Sequence, residues 1–404
     1  MKGIRVQTGV LLGLAVLMFS VDAARPASAR GQETRTEEIA ARQREKARTL
    51  EPYLPTRFER TMIRLEESIA SPPSGFFPVI GRVYSGGGFT PGAGYRRFYE
   101  RNAVWEVVGL YSVRHYKSIE LATRTPWHGK GTWTLGARAG WLDAPEIGYY
   151  GQGMDQTGPR TNFRLSQGYG AVTALVRPNA WTRLHGEVAY EAYETKAGRG
   201  PDPSIETIHT PATAPGLFAA PTYIRTQAAA AIDWRTSPGY SRTGGSYGVT
   251  LASFADPGET YSFQRLDGEI IQHIPLLREN WVISVRGRVQ TTLGDDDEVP
   301  YFLMPQLGSS RTLRGYRTGR FRDRHSLLTS AEFRWIPSRV ALDMAVFYDA
   351  GKVTSRRQDL DFEDLASDWG IGARFHGPSV TVLRIEAARG SDGWRLVFAT
   401  SAPF

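Results

Sequence analysis

Three residues in the C-terminal part of the chain have the types and spacing to form a buried ion-pair site. Arg314 lies in the segment LRGY (313–316), Glu332 in AEFRW (331–335) and Asp349 in FYDAG (347–351). Two neighbouring carboxylates repel each other, and a guanidinium between them removes that repulsion because its planar fork can donate to both. The three residues therefore predict a loop held in place by ion pairs.

The residues around the two acids predict which way each carboxylate points. Apolar residues alternate with Glu332 and with Asp349, so both carboxylates point to the face opposite the apolar one. The apolar residues that define this face are Leu327, Ala331, Phe333 and Trp335 on one strand and Met344, Val346 and Tyr348 on the next. A hairpin that turns about Val340-Ala341 would make Glu332 and Asp349 direct cross-strand neighbours. Breaking a desolvated ion pair costs roughly 3–5 kcal/mol, against about 0–1 kcal/mol for an exposed pair.

Other motifs with chemical potential are weaker. Residues 244–248 fit G-x-S-x-G, but a strand follows the serine where a nucleophile elbow needs a helix. The acidic run 295–298 lacks the spacing and the glycine of a calcium loop, and the seven histidines show no metal-ligand spacing. The chain has no cysteine, which excludes disulfides and thiolate metal sites. We therefore expect no catalytic residues, no metal, no cofactor and no enzymatic activity.

The N-terminal residues predict export. Lys2 and Arg5 precede an apolar run, residues 8–21, that is too short for a stable membrane span, and Ala27-Ser28-Ala29 fits a signal-peptidase site. We expect a signal peptide at residues 1–29. The net charge of +8 is modest for 404 residues and does not indicate a nucleic-acid partner.

Residues 30–77 are predicted to form a short periplasmic helical segment. Residues 33–50 are rich in helix-favouring Glu, Arg, Gln and Ala. Phe58, Met62, Leu65 and Ile69 then recur at helical spacing and define one apolar stripe. This stripe is compatible with a plug in a barrel, a membrane surface, a partner protein, or packing on a barrel rim.

From residue 78 to residue 404 the hydrophobic period changes to two. In residues 280–292, Trp281, Ile283, Val285 and Val289 share one face, and Ser284, Arg286, Arg288 and Gln290 share the other. The pattern continues to the end of the chain without an intervening helix. Strands with one apolar and one charged face fit a barrel with lipid outside and a watery lumen inside. The fold predicted is all-β: a 16-stranded antiparallel transmembrane β-barrel preceded by the short helical segment.

The predicted connections alternate in length, as expected for such barrels. The long connections, 144–160, 194–221, 294–325 and 352–367, would all lie on the outer side. The sixteen strands are predicted near residues 78–87, 90–98, 103–112, 115–126, 132–143, 161–177, 180–193, 222–235, 246–256, 260–275, 280–293, 326–337, 341–351, 368–377, 379–389 and 393–403.

The last predicted strand is similar to the recognition strand that outer-membrane barrels present to the machinery that assembles them. Trp394 and Phe398 alternate along it, and the chain ends at Phe404. Pro403 departs from the usual pattern. We interpret Trp394, Phe398 and Phe404 as a C-terminal assembly signal.

Residues 308–351 resemble the BamA/TamA superfamily of outer-membrane insertases and two-partner secretion pores, also called bacterial surface antigens. In that family an R-G-F/Y motif lies at the tip of a loop folded into the lumen, and an F-x-D-x-G motif lies on the second strand after it. By this resemblance Arg314, Gly315 and Tyr316 form the loop tip, Glu332 is the acid of the intervening strand, and Phe347, Asp349 and Gly351 form the second motif. Residues 30–77 are too short for a POTRA domain, so the resemblance implies a member without one.

The resemblance implies a role in outer-membrane biogenesis, as protein insertion, translocation or lipid transfer. It implies a bacterial outer-membrane location and contact with outer-membrane lipid and lipopolysaccharide. The expected partners are the barrel-assembly machinery during biogenesis, a polypeptide or lipid substrate, and a periplasmic protein. Two alternatives stay open: a passive diffusion pore lined by Arg286, Arg288 and Arg384, and a structural surface antigen. The ion pair itself has an alternative interpretation as an ordinary lumen-wall pair of a porin.

Overall fold

The computed structural model describes residues 40–45, 54–70, 74–100, 102–276, 279–294, 298–337 and 340–404. The predicted signal peptide, residues 1–29, lies outside the described residues. The chain divides into two compact units, residues 1–54 and 55–404, and the helical residues 40–45 belong to the first. The second unit contains one described α-helix and every described strand.

One helix, α1, precedes the strands and spans Arg57–Ala70. Thr56 and Glu59 begin it with a capping box: the Thr56 amide donates to Glu59 Oε2 at 2.7 Å, and the Glu59 amide donates to Thr56 Oγ1 at 3.2 Å. The described residues before the first strand contain helix and no α/β module. Within the described ranges, no helix is both long and apolar enough to cross a membrane.

Helix α1 packs against the ends of strands near the C-terminus of the chain. Met62 of the predicted stripe is buried, and the Phe58 ring meets the Phe375 ring edge-on at 6.2 Å. Glu66 is buried, and both of its carboxylate oxygens accept from the Ser379 amide at 3.1 Å. The Ser379 hydroxyl also donates to Glu66. The helix is thus fastened to the turn at residues 377–380.

Replacing Glu66 with alanine should loosen α1 from this turn. A hydrogen bond to a charged group contributes about 1.5–3 kcal/mol, and the half-buried Ser379 would lose its acceptor. We expect faster amide hydrogen exchange in residues 57–70 and an unchanged sheet. The neighbouring Glu67 is exposed, so Glu67→Ala is the matched control. Equal exchange in both variants would show that the Glu66 contact does not hold the helix.

The described residues after α1 form eighteen strands. Sixteen pair antiparallel in chain order in one sheet, and β12 and β13 form a separate short ladder within the loop after β11. The strands are β1 Gly75–Ile80, β2 Pro91–Tyr99, β3 Ala103–Tyr111, β4 Lys117–Arg124, β5 Trp133–Tyr149, β6 Thr161–Val176, β7 Thr182–Ala197, β8 Thr222–Asp233, β9 Gly244–Ala255, β10 Phe263–Leu276, β11 Trp281–Leu293, β12 Gln306–Leu307, β13 Phe321–Arg322, β14 His325–Trp335, β15 Ala341–Thr354, β16 Ala366–His376, β17 Thr381–Gly390 and β18 Gly393–Ala399.

Each of the sixteen predicted strands overlaps one strand of the large sheet, so the all-β, sixteen-stranded antiparallel arrangement is confirmed. The largest boundary differences are at β1, which ends at Ile80 and not at the predicted residue 87, and at β5, which continues to Tyr149. β1 also begins at Gly75, inside the predicted helical segment, and β7 continues to Ala197. β5 and β7 are longer than predicted because both pair with the long strand β6. Their additional residues therefore also find hydrogen-bonding partners in the sheet.

The two faces of the sheet differ as predicted. The outer face carries apolar side chains that are half or more exposed, including Ile119, Val172, Ile270, Val346, Ile371 and Leu396. The inner face carries arginines paired with acids of other strands. Arg225–Glu191 at 2.8 Å and Arg286–Glu269 at 2.6 Å join adjacent strands, and Arg138–Glu187 at 3.0 Å joins β5 to β7 across β6. This is the arrangement expected for a sheet between lipid and a polar interior.

Contacts between distant strands show that the sheet curves around a space on its inner face, which we call the lumen. Gly239, in the turn between β8 and β9, forms a parallel bridge with Val380, in the turn between β16 and β17. Within the described residues, however, no hydrogen-bonded ladder joins β1 to β18, so the sheet has two edges. Closure into a complete barrel therefore stays a prediction.

Candidate functional site

The loop between β11 and β14 folds back onto the inner face of the sheet. Within it β12 and β13 pair through Gln306 with Arg322 and Leu307 with Phe321, which makes residues 308–320 the tip of a hairpin. Leu307, Leu313, Tyr316 and Phe321 pack with Leu328 of β14 and Val353 of β15 in one buried apolar cluster. We call residues 298–324 the lumen loop.

Arg314, at the tip of the lumen loop, binds three carboxylates of the inner face. Its Nε and Nη2 donate to the two oxygens of Asp349 at 2.7 Å and 3.0 Å. Its Nη1 donates to Glu332 Oε2 at 3.1 Å and to Glu386 Oε1, also at 3.1 Å. Only 1% of Arg314 is exposed. The structure thus brings together the arginine and both acids that the sequence singled out.

The predicted register between the two acids was wrong. Glu332 pairs with Phe347, and Asp349 pairs with Ser330, so the carboxylates are diagonal neighbours and not direct ones. A turn about Val340-Ala341 would pair Glu332 with Asp349. The observed partner of Glu332 is two residues before Asp349, and the observed partner of Asp349 is two residues before Glu332. A shift of two residues preserves the face of every side chain, so the hydrophobic pattern could not reveal it. The Arg314 guanidinium lies between the two carboxylates and binds both.

The other residues of the two motifs shape the space around Arg314. The Phe347 ring is buried, and the guanidinium carbon lies 3.4 Å from its centroid, so the cation rests on the aromatic face. A Cβ on Gly351 would lie 2.6 Å from the Leu327 carbonyl oxygen and 3.0 Å from Leu307 Cδ1. Glycine at this position therefore lets Leu307 of the lumen loop approach the sheet.

Gly315 and Tyr316 anchor the tip to the last strands of the sheet. A Cβ on Gly315 would lie 2.6 Å from both Asp368 Cβ and the Gly390 amide nitrogen, so only glycine fits there. The Tyr316 hydroxyl donates to the Ser367 carbonyl at 3.1 Å, and Arg395 of β18 donates to the Tyr316 carbonyl.

Three further charged residues complete the site, and the sequence analysis did not assign them to it. Arg374 of β16 donates to Glu332 and lies 3.5 Å from Glu386. Arg384 Nη1 donates to Glu386 at 2.8 Å, and its Nη2 donates to the Ser310 carbonyl of the lumen loop at 2.6 Å. The available signal was the alternation of Arg384 and Glu386 along a predicted strand.

We call the resulting set the charge cluster. It contains three cations and three anions, and each residue is 3% exposed or less. Burial opposes the charge on Arg314, but Asp349, Glu386 and Glu332 outweigh that effect and raise the pKa of its guanidinium above the usual range. The members of the charge cluster are Arg314, Arg374, Arg384, Glu332, Asp349 and Glu386.

The predicted assembly-signal residues do not share one strand. Trp394 and Phe398 lie on the outer face of β18 and are 60% and 65% exposed. β18 ends at Ala399, four residues before the predicted end at residue 403. The Phe404 ring stacks at 6.3 Å on His273, an inner-face residue of β10, so this phenylalanine turns inward. Pro403, which has no amide hydrogen to donate to a ladder, lies between the strand and this ring.

The motifs considered for catalysis take ordinary structural positions. Ser246 of the G-x-S-x-G match lies within β9 and is followed by strand. In the ranges that the structure describes, no group of three His, Cys, Asp or Glu residues is placed to hold a metal ion. Residues 295–297 of the acidic run lie outside those ranges.

Comparisons with known proteins agree with this geometry. The Omp85 superfamily domain matches residues 110–390. BamA from Haemophilus ducreyi, in a structure lacking POTRA domains 1–3, superposes with a TM-score of 0.58 at 14% identity over 78% of this chain and 68% of that one. CdiB from Escherichia coli gives a TM-score of 0.52 at 13% identity over 80% of this chain and 61% of that one. These likenesses show the fold alone. No curated protein sequence matches the chain significantly.

Proposed function

Since the chain belongs to the Omp85 superfamily and is located in the bacterial outer membrane, we propose that it acts there in protein insertion, translocation or lipid transfer. The resemblance inferred from the two motifs is thereby confirmed at the level of the superfamily. The proposed action is physical: it moves a substrate and makes or breaks no covalent bond.

The observation that carries this proposal is the lumen loop locked to the inner face beside an unpaired edge. The tip binds β15 through Arg314 and β18 through the Tyr316 carbonyl. β18 has a ladder with β17, and no ladder with β1 is seen among the described residues. An edge strand offers free backbone donors and acceptors, so a seam of this kind can open at lower cost than any paired position.

The proposed partners follow from the same features. The apolar outer face meets outer-membrane lipid and lipopolysaccharide, and the barrel-assembly machinery handles the chain during its own biogenesis. A polypeptide or lipid is the substrate, and a periplasmic protein delivers it.

A deletion strain tests the function directly. We expect the abundance of specific outer-membrane proteins, or the lipid composition of that membrane, to change after deletion and to recover with the wild-type gene. The matched comparison is complementation with the gene carrying Arg314→Lys, which retains charge but loses the planar fork. An outer membrane that is unchanged in protein and lipid after deletion would refute the proposal.

The passive-pore alternative fits the structure less well. Arg286, which that alternative placed on an open wall, donates to the carbonyl of Arg311 in the lumen loop at 2.6 Å. Arg384 is fully buried in the charge cluster, and Arg288 is paired with Asp267 at 3.0 Å.

Purified protein in planar bilayers should therefore be silent or flicker rarely, because the lumen loop occupies the path that ions would take. A general porin reconstituted in the same lipid is the positive control for insertion and detection. A steady, reproducible conductance from the wild-type chain would favour the pore and contradict the closed arrangement.

A further inference from the structure

The turn between β8 and β9, residues 234–243, crosses the lumen at the end of the sheet where α1 is fastened. It leaves β8 at Asp233 and returns into β9 at Gly244. Its contacts include β15 and β16, which lie four and five strands beyond β9 in the sheet. A connection between strands so far apart on the inner face must pass through the lumen. We call this segment the strap.

The far end of the strap is fastened by its backbone. The Gly239 carbonyl accepts from the Thr381 amide at 3.1 Å and from the Thr381 hydroxyl at 3.2 Å. A Cβ on Gly239 would lie 2.8 Å from the Ser379 carbonyl oxygen, so the close approach depends on glycine. The turn that receives Gly239, residues 377–380, is the one that Glu66 of α1 holds from its other side.

Side chains fasten the strap further. The Tyr240 ring stacks on the His376 ring at 3.8 Å between centroids, and its hydroxyl donates to Asp343 Oδ2 at 2.9 Å. Arg334 of β14 donates to the Ser241 carbonyl. Tyr240 and Ser241 are buried at 2% and 4% exposure, although they belong to a hairpin turn. Ordinary turns of this type are short and solvated.

The strap and the lumen loop lie one above the other on the same wall. Glu332 of β14 binds Arg314 of the lumen loop, and Arg334, the next inner-face residue along β14, binds the strap. The arginine at 334 also lies 3.9 Å from Glu332 Oε1. The two segments therefore lie at successive levels of the lumen, and both can be docked on the wall at the same time.

We propose that the strap is a second closure of the lumen, in series with the lumen loop, and that α1 clamps the turn to which it is fastened. Opening the strap exposes the lumen wall beneath the lumen loop but leaves the path blocked at the next level. The inference does not depend on which substrate the protein moves.

The test uses the absence of cysteine, which makes any introduced thiol a unique reporter. Val282→Cys places the reporter on the inner face of β11, where Val282 is buried and pairs across the strands with Arg334, the residue that binds the strap. We call its thiol the lumen reporter. Ala180→Cys, in the exposed turn between β6 and β7, supplies the reference reporter.

The strap is released by Tyr240→Ala, or independently by Gly239→Val. Each change is combined with one of the two reporters. Tyr99→Ala removes a tyrosine of β2 whose hydroxyl bonds Thr123 of β4, and it is the matched control.

We expect a hydrophilic maleimide to label the lumen reporter roughly tenfold or more faster in either strap variant than with the intact strap, as local opening predicts. Labelling of the reference reporter, and of the lumen reporter in the Tyr99→Ala background, should not change. Retention of the folded band on unheated gels shows that the sheet is intact. Unchanged labelling of the lumen reporter in both folded strap variants would overturn the proposal.

Measurements of ion conductance distinguish two cases: a strap that closes the lumen together with the lumen loop, and a strap that closes it alone. Because the lumen loop still blocks the path, folded Tyr240→Ala protein should stay as silent in planar bilayers as the wild type. If that variant alone produced a steady pore, the two levels would not act in series, and the proposal would be wrong. Neither outcome depends on the proposed role in insertion or transfer, which the deletion strain tests separately.

Discussion

Replacing Arg314 with alanine is expected to abolish stable folding of the protein or to reduce its folded fraction severely. The change leaves three anions, Asp349, Glu332 and Glu386, against two cations in a site where each residue is at most 3% exposed. Removing one partner of a buried ion pair costs roughly 3–5 kcal/mol. Domains are typically stable by only about 5–15 kcal/mol, so a loss of this size is a large share of the total.

Refolding from urea into detergent, followed by gel migration with and without heating, measures this effect. The control is Arg356→Ala, which removes an exposed arginine, 66% accessible, from an i,i+3 pair with Asp359. Such pairs contribute about 0–1 kcal/mol, so this variant should fold like the wild type. Arg314→Lys should fall between the two, because one ammonium cannot present the fork that serves three acids. Wild-type folding of Arg314→Ala would show that the arginine locks nothing.

Substituting Gly315 with valine is expected to expel the tip of the lumen loop from the sheet. The added Cβ would lie 2.6 Å from Asp368 Cβ and from the Gly390 amide nitrogen, and 3.0 Å from the Arg389 carbonyl carbon. Two of these neighbours are backbone atoms of β17, which cannot rotate away. Overpacking costs typically 1–3 kcal/mol, and here the strain falls on the segment that delivers Arg314.

Limited proteolysis of the folded variant checks this expectation, because an expelled tip exposes the buried Arg314 and the half-buried Arg320 to trypsin. Gly158→Ala is the control, since a Cβ on this loop glycine would meet nothing within 4 Å. We expect cleavage between residues 308 and 320 to accelerate in Gly315→Val and to match the wild type in Gly158→Ala. Equal protection of the tip in both variants would mean that Gly315 is not needed for docking.

Most of the strand architecture could be predicted because it depends on a local signal. Alternation of apolar and charged residues, as in β11, follows directly from a sheet with lipid on one side. Register depends on the turn and leaves no such signal when it shifts by two, which is why Glu332 and Asp349 were placed opposite each other. The ends of β5 and β7 were missed because their last residues lose the apolar–polar alternation, although they still pair with β6.

The site was predictable only in part, for a related reason. Arg314, Glu332 and Asp349 stand out through motifs contiguous in sequence. Arg374 and Glu386 join them only because β16 and β17 pair in one register, which a single sequence does not encode visibly. The strap lies mostly between the predicted strands 222–235 and 246–256, and the pattern of residues 234–243 does not reveal that they reach β15 and β16.

The composition of the charge cluster bears on quality control during biogenesis. Its members come from four consecutive strands, β14 to β17, and from the loop tip, so the set is complete only when all five parts are in place. A copy that lacks the loop tip, β14, β15 or β16 leaves one ion of the cluster unmatched, and moving such an ion out of water is strongly unfavourable. The docked arrangement of the lumen loop is therefore disfavoured until those four parts are in place.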